Sequence, residues 1–117
     1  MITTTYHSAA EELIDEPFTG FDAVLAGEPS AHVGWLRTDS AGDGMLLAGT
    51  FTVEPSTFRY TFGGDETFYV LEGICTIEPD GGEPVELRAG DVASFRKGTT
   101  SRWTVRQRLR KFFVISG

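Results

Sequence analysis

The sequence predicts an all-β fold, an antiparallel sandwich or barrel, on three observations. Fourteen glycines among 117 residues exceed the average share and favour a turn-rich protein over a helical bundle. Short runs rich in β-branched and aromatic residues recur along the chain, separated by turn signals. Helix-length patterns do not lie between these runs, which argues against alternating strands and helices. The length suits one domain with one hydrophobic core, so residues 1–117 are assigned to a single domain.

The elements follow in chain order. Residues 8–14 have helix character, because Ser8 can cap the segment and Glu11 can complete a capping box before Pro17 ends it. We therefore expect a short N-terminal helix or an extended arm within residues 1–44, which also hold the first strands. Further strands are predicted at 46–53, 57–62, 66–71, 74–78, 84–88, 92–95, 101–105 and 111–115. Glycine, proline and aspartate mark most of the turns between them.

The charge is unevenly distributed. All 17 acidic residues lie in residues 1–91, whereas residues 92–117 hold seven arginines and lysines and no acid. The basic end can be a patch for anions or nucleic acid, or its side chains can pair with acidic strands of the same barrel or of a second subunit. The net charge of −7 argues against nucleic acid as the main partner, and we favour the second interpretation.

Composition also limits the compartment and the chemistry. The N-terminus lacks the pattern of a signal peptide, and no run of 18 apolar residues predicts a membrane-spanning helix. We expect a soluble, cytoplasmic protein with no membrane partner. Cys75 is the single cysteine, which excludes an intrachain disulfide and a zinc site built from cysteines.

Five segments carry a resemblance to a known family, namely Glu66–Gly73, Gly90–Asp91, Phe95–Gly98, Trp103–Val105 and Arg110–Phe113. Residues 45–116 resemble a small single-domain cupin, a double-stranded β-helix jelly-roll barrel of the RmlC-like type. Within the cupins, the sequence is similar to the cupin-3 family, whose members are labelled ureidoglycine aminohydrolase-like or ethanolamine-utilisation cupin-like.

The resemblance also locates the positions where many cupins hold a metal. The usual ligand positions correspond to Tyr60, Phe62, Glu66 and Ser101. Many cupins have histidine at three of these positions and glutamate at the fourth, which is Glu66 here. A phenol, a benzene ring and a hydroxyl with one carboxylate cannot hold a transition metal against water. We therefore predict no metal and no other cofactor.

The same positions predict a pocket for a small-molecule ligand. Alternation along a strand sends residues i and i+2 to one face, which groups Tyr60 with Phe62 and Ser101 with Trp103. The cupin arrangement implies that these side chains and Glu66 face the barrel mouth. Aromatic walls with a few converging polar groups are typical of a small-molecule site.

Individual residues of this pocket keep two interpretations. Glu66 can act as a catalytic acid or base, or grip an N–H of a ligand. Alternatively it is a structural carboxylate bonded to Tyr60, Ser101 or Trp103. Trp103 can stack on a ligand or fill the barrel. Tyr69 and Cys75 are both interpreted as core residues.

Three functions follow in order of preference. The first is metal-independent binding of a small molecule, with possible catalysis by Glu66 left open. The second is a metal-dependent enzyme with non-standard ligands that acts on a small nitrogenous metabolite, and the third is a structural or interaction role with a filled barrel. A homodimer is expected, because antiparallel sheets must protect their edges.

Overall fold

Two long strands organise the molecule. The computed structural model describes residues 13, 15–39 and 44–117, which form nine strands and no helix. The strands are β1 Asp15–Pro17, β2 Ala23–Gly27, β3 His32–Asp39, β4 Leu46–Val53, β5 Ser56–Thr61, β6 Asp65–Pro79, β7 Val85–Arg88, β8 Val92–Phe95 and β9 Thr100–Ser116.

The longest strand, β9, is shared by two halves of the sheet. Its first half pairs with β5 and its second half with β4, while β6 pairs with β9 along most of its length. Every pair is antiparallel, the strand order is β1-β3-β4-β9-β5-β2, and β6 adds β7 and β8. The sheet curls around one interior as a jelly roll. The all-β prediction is confirmed.

The predicted ends of several strands are wrong. Residues 66–71 and 74–78 were expected as two strands, as were 101–105 and 111–115, but each pair belongs to one continuous strand. Between Val70 and Cys75 the β6–β9 register shifts at three places, and Gly73 has a φ of 99°. Residues that resemble a turn signal therefore form bulges, which bend a strand without ending it.

The described residues do not test the predicted N-terminal helix, the homodimer or the cytoplasmic location. The helix expected at 8–14 lies, except for Leu13, outside the described residues. In the described ranges, no helix is long and apolar enough to cross a membrane. The homodimer and the cytoplasmic location stay predictions.

Alternation along β6 determines which side chains reach the core. Glu66, Phe68 and Val70 are buried, whereas Tyr69 lies between them and is 45% exposed. The prediction of Tyr69 as a core residue is wrong, because its position in the alternation directs it outward. Cys75 is fully buried, as predicted, and this burial raises the pKa of its thiol to about 11.

Candidate functional site

The barrel encloses a cavity walled mainly by aromatic rings. Its volume is about 60 Å³, and the space between its walls reaches about 460 Å³ when the part open to solvent is counted. We call it the barrel cavity. Three of its residues are polar or charged at their tips, namely Tyr60, Glu66 and Lys111. The other residues that line it are Phe18, Phe21, Val33, Trp35, Phe51, Phe58, Trp103, Phe113 and Ile115.

A buried ion pair forms the charged part of this wall. The Lys111 ammonium donates a hydrogen bond to Oε2 of Glu66. Glu66 is 3% exposed and Lys111 is 4% exposed. Each charge therefore depends on the other, since an isolated ion would be very costly in such surroundings.

The lysine reaches its partner along the barrel interior. In the β6–β9 ladder, Lys111 faces Val70, whereas Glu66 faces Ile115. The lysine side chain covers this offset by running past Phe68. Lys111 Nζ lies 4.3 Å from the centroid of that ring.

Aromatic faces surround the ammonium on several sides. Besides the ring of Phe68, Nζ lies 4.9 Å from the ring centroid of Trp103, 5.1 Å from that of Phe51 and 5.9 Å from that of Phe113. The negative faces of such rings attract a cation within about 6 Å. The rings therefore stabilise a charged Lys111 while they exclude water from one side of it.

Tyr60 brings a phenol to the same cavity. Its burial, followed by the negative charge of Glu66, raises the pKa of its hydroxyl to about 12. The phenol is therefore neutral at physiological pH, and it can donate or accept a hydrogen bond. Its ring packs edge-on against Trp103, with the centroids 6.2 Å apart.

The polar atoms of Trp103 and Ser101 form hydrogen bonds within the protein and are not left free for a ligand. The Trp103 Nε1–H donates to Ser101 Oγ at 3.1 Å, and the Ser101 hydroxyl donates to the Tyr60 carbonyl at 2.8 Å. Trp103 lines the barrel cavity with its ring. Ser101 is fully buried and lies behind this wall.

Phe62 also lies beside the cavity and does not belong to its lining. It follows the last residue of β5 and is 1% exposed. Its ring stacks on Phe95 at a centroid distance of 4.6 Å. The residues that the structure brings together at the cavity are therefore Tyr60, Glu66 and Trp103, joined by Lys111.

The four positions where related folds hold a metal do not fit one here. Phe62 has no lone pair, and the Ser101 hydroxyl is committed to two hydrogen bonds. The remaining carboxylate, Glu66, already has a cation at hydrogen-bond distance in Lys111. Among the described residues, moreover, no three histidine, cysteine, aspartate or glutamate side chains are grouped so that they could hold an ion.

The basic C-terminal strand pairs with acids of the same chain. Arg108 forms ion pairs with Glu54 and Glu72 on the surface, and Lys111 pairs with Glu66 in the interior. The interpretation that this strand faces acidic strands of its own barrel is confirmed for these two residues.

Sequence reasoning missed Lys111 as a site residue, although a signal was present. In the predicted strand 111–115 it lies on the same face as Phe113 and Ile115, although Phe112 and Val114 make the other face apolar as well. A charged residue at an inward position implies a buried partner. The identity of that partner was not readable from the strand itself.

The fold and the cavity define the class of protein: a cupin-type jelly roll with an aromatic cavity in its interior. The chain belongs to the family of EutQ-like cupin domains, Cupin_3, whose model matches residues 40–113. The family predicted from the motif is thereby confirmed. Among curated proteins, none matches the chain.

Solved structures support the same assignment. A DUF861 family protein from Thermotoga maritima is 30% identical, with a TM-score of 0.55, over 56% of this chain and 75% of that one. The Clostridium difficile EutQ protein is 26% identical, with a TM-score of 0.62, over 74% of this chain and 61% of that one. A DUF861 protein of unknown function from Pseudomonas syringae reaches a TM-score of 0.76 at 20% identity, over 89% and 45%. The last similarity shows the fold alone.

Proposed function

We propose that the chain binds a small, largely apolar molecule in the barrel cavity without a metal, and that Glu66 and Lys111 hold its polar group. The observation that carries this proposal is the ion pair buried in the wall of an aromatic cavity. The cavity is partly open to solvent, and mainly aromatic walls with a few converging polar groups are typical of small-molecule sites.

The chemistry of the pair selects the polar group. An ammonium has three N–H donors, and the hydrogen bond to Glu66 uses one of them. A ligand oxygen can accept from Lys111, while an N–H or O–H of the ligand can donate to Glu66. An amide or an acid group joined to an apolar body satisfies both requirements, and the aromatic walls bury that body. In a reaction, Glu66 would be the group that moves a proton.

Energetics favour a functional reason for the pair over a purely structural one. Replacing a buried ion pair with apolar side chains of similar volume is often neutral or stabilising. Glu66 and Lys111 therefore contribute little to the fold that leucine and methionine could not supply. Their position at the cavity wall supports a role in recognition.

Binding of benzamide tests the proposal, because its amide offers an acceptor and a donor next to an apolar ring. The double variant Glu66→Leu/Lys111→Met removes both charges and keeps the wall apolar. We expect benzamide to bind the wild type in calorimetry or ligand-observed NMR, and the double variant to bind about 10- to 100-fold more weakly, the effect of losing a charge-assisted hydrogen bond.

A matched control is Glu72→Gln, which breaks a surface ion pair with Arg108 away from the cavity. This variant should bind benzamide like the wild type. Equal affinity in the double variant, or no binding of benzamide to the wild type, would overturn the proposed function.

A further inference from the structure

Lys111 is an amine held in an apolar cavity, and the chain has few others. The sequence contains two lysines, Lys97 and Lys111. Lys97 is exposed in the turn before β9, whereas Lys111 is 4% exposed and lines the barrel cavity. A molecule that enters the cavity therefore meets one primary amine among the residues that line it.

The surroundings of this amine combine two properties needed for covalent chemistry with a carbonyl group. The rings around Nζ stabilise the resting ammonium and keep water from one side of it, and a site with less water favours condensation, a reaction that releases water. Glu66 lies at hydrogen-bond distance from Nζ and can take the proton that the ammonium must lose before its lone pair is free. Lysine in a hydrophobic pocket is one of the established nucleophiles for carbonyl substrates.

Resting on the proposed function, we propose that Lys111 forms a Schiff base with an apolar aldehyde or ketone bound in the barrel cavity, and that Glu66 transfers the protons. The inference names both the substrate class and the reacting atom, Nζ. Glu66 is the positioned acid and base of the reaction.

The step balances without a further reactant. Glu66 accepts one proton from the ammonium, and the freed lone pair adds to the carbonyl carbon while the C=O π electrons move to the oxygen. The carbinolamine oxygen receives one proton from Glu66. The nitrogen then gives up a proton to the same oxygen. The C–O bond then breaks and water leaves. An ammonium and a carbonyl compound become an iminium ion and one water molecule, and Glu66 ends as it began.

Reductive trapping of the whole protein with benzaldehyde and cyanoborohydride tests this assignment. Cyanoborohydride supplies the hydride that converts the iminium to a stable benzyl amine, which mass spectrometry of peptides locates. We expect benzylation of Lys111 to be about tenfold or more faster than that of Lys97, because the cavity holds the aldehyde next to Nζ. Benzamide should compete with the reaction.

Variants separate the chemistry from folding. Lys97→Met should leave the rate of trapping at Lys111 unchanged. Lys111→Met and the double variant Glu66→Leu/Lys111→Met should lose the cavity adduct, and the double variant guards against a single variant that does not fold. Glu66→Gln should slow trapping, because glutamine cannot accept the proton.

The failures are distinguishable. If benzamide binds the wild type but Lys111 is not benzylated faster than Lys97, the Schiff base is refuted and the proposed function stands. If benzamide does not bind and no preference for Lys111 appears, both are refuted.

Discussion

Separating Glu66 from Lys111 should destabilise the protein more than removing both. Lys111→Met leaves a buried carboxylate without its cation, and Glu66→Leu leaves a buried ammonium without its acceptor. Both side chains are almost fully buried, so water cannot replace the lost partner. The double variant replaces the pair with apolar groups in a wall that is already aromatic.

The magnitudes follow from this burial. Breaking one partner of a buried pair costs about 3–5 kcal/mol, whereas replacing the pair with apolar side chains is neutral or stabilising by about 1–4 kcal/mol. If the two losses were additive, the free energy of unfolding of the double variant would be about 6–10 kcal/mol lower than that of the wild type. A domain of this kind has a total stability of about 5–15 kcal/mol, so additive and coupled behaviour are easily distinguished.

Urea unfolding followed by tryptophan fluorescence measures the effect, because Trp103 lies beside the pair. We expect each single variant to lose about 3–5 kcal/mol and the double variant to match or exceed the wild type. As a control, Glu72→Gln on the surface should change the free energy of unfolding by about 1 kcal/mol or less. A double variant as unstable as the sum of the single variants would refute the reasoning.

Two further predictions concern the backbone and the buried thiol. Gly73 and Gly90 have similar φ angles, 99° and 97°, but a Cβ at Gly73 would lie 2.7 Å from Leu109 Cα, whereas at Gly90 it would meet open space. In denaturant unfolding, Gly90→Ala should therefore cost about 1–2 kcal/mol for the left-handed backbone, and Gly73→Ala about 1–3 kcal/mol more for overpacking. Burial raises the pKa of Cys75 from 9.0 to about 11, so native protein at pH 8 should react with iodoacetamide about 100-fold more slowly than unfolded protein. The raised pKa of Cys75 in the folded state stabilises the protein. This stabilisation is fully present below pH 9.0 and is lost as the pH rises through about 11.

Each of these two predictions has a contrary outcome. Equal losses for the two glycine variants would mean that Gly73 is not crowded by β9. Equal alkylation rates for native and unfolded protein would contradict the burial of Cys75, and a Cys75→Ala variant that keeps the same alkaline loss of stability would assign that loss to other groups.

Much of the fold could be read from local patterns, and part of the site with it. The resemblance carried by Glu66–Gly73 and the spaced glycines implied the cupin fold, and β-rich runs bounded by turn signals predicted the strands 46–53 and 92–95 with their observed bounds. Tyr60, Glu66 and Trp103 were predicted at a pocket, and the structure places them on one cavity. Their role in binding stays a prediction.

The errors at Gly73, Ser101 and Phe62 have a common origin in long-range contacts. Whether Gly73 ends a strand or forms a bulge depends on β9, which continues the ladder past it. Ser101 and Phe62 occupy motif positions, but their contacts with Trp103 and Phe95 commit them to the wall behind the cavity.

Lys111 shows most clearly what each level determines. The sequence by itself determined that Lys111 shares a face of its strand with Phe113 and Ile115, because alternate residues of a strand point to the same side. Only the tertiary structure decided that its partner is Glu66, which lies 45 residues away and opposite Ile115 in the ladder. A flexible side chain that runs past Phe68 makes this contact, and strand register does not predict such a path.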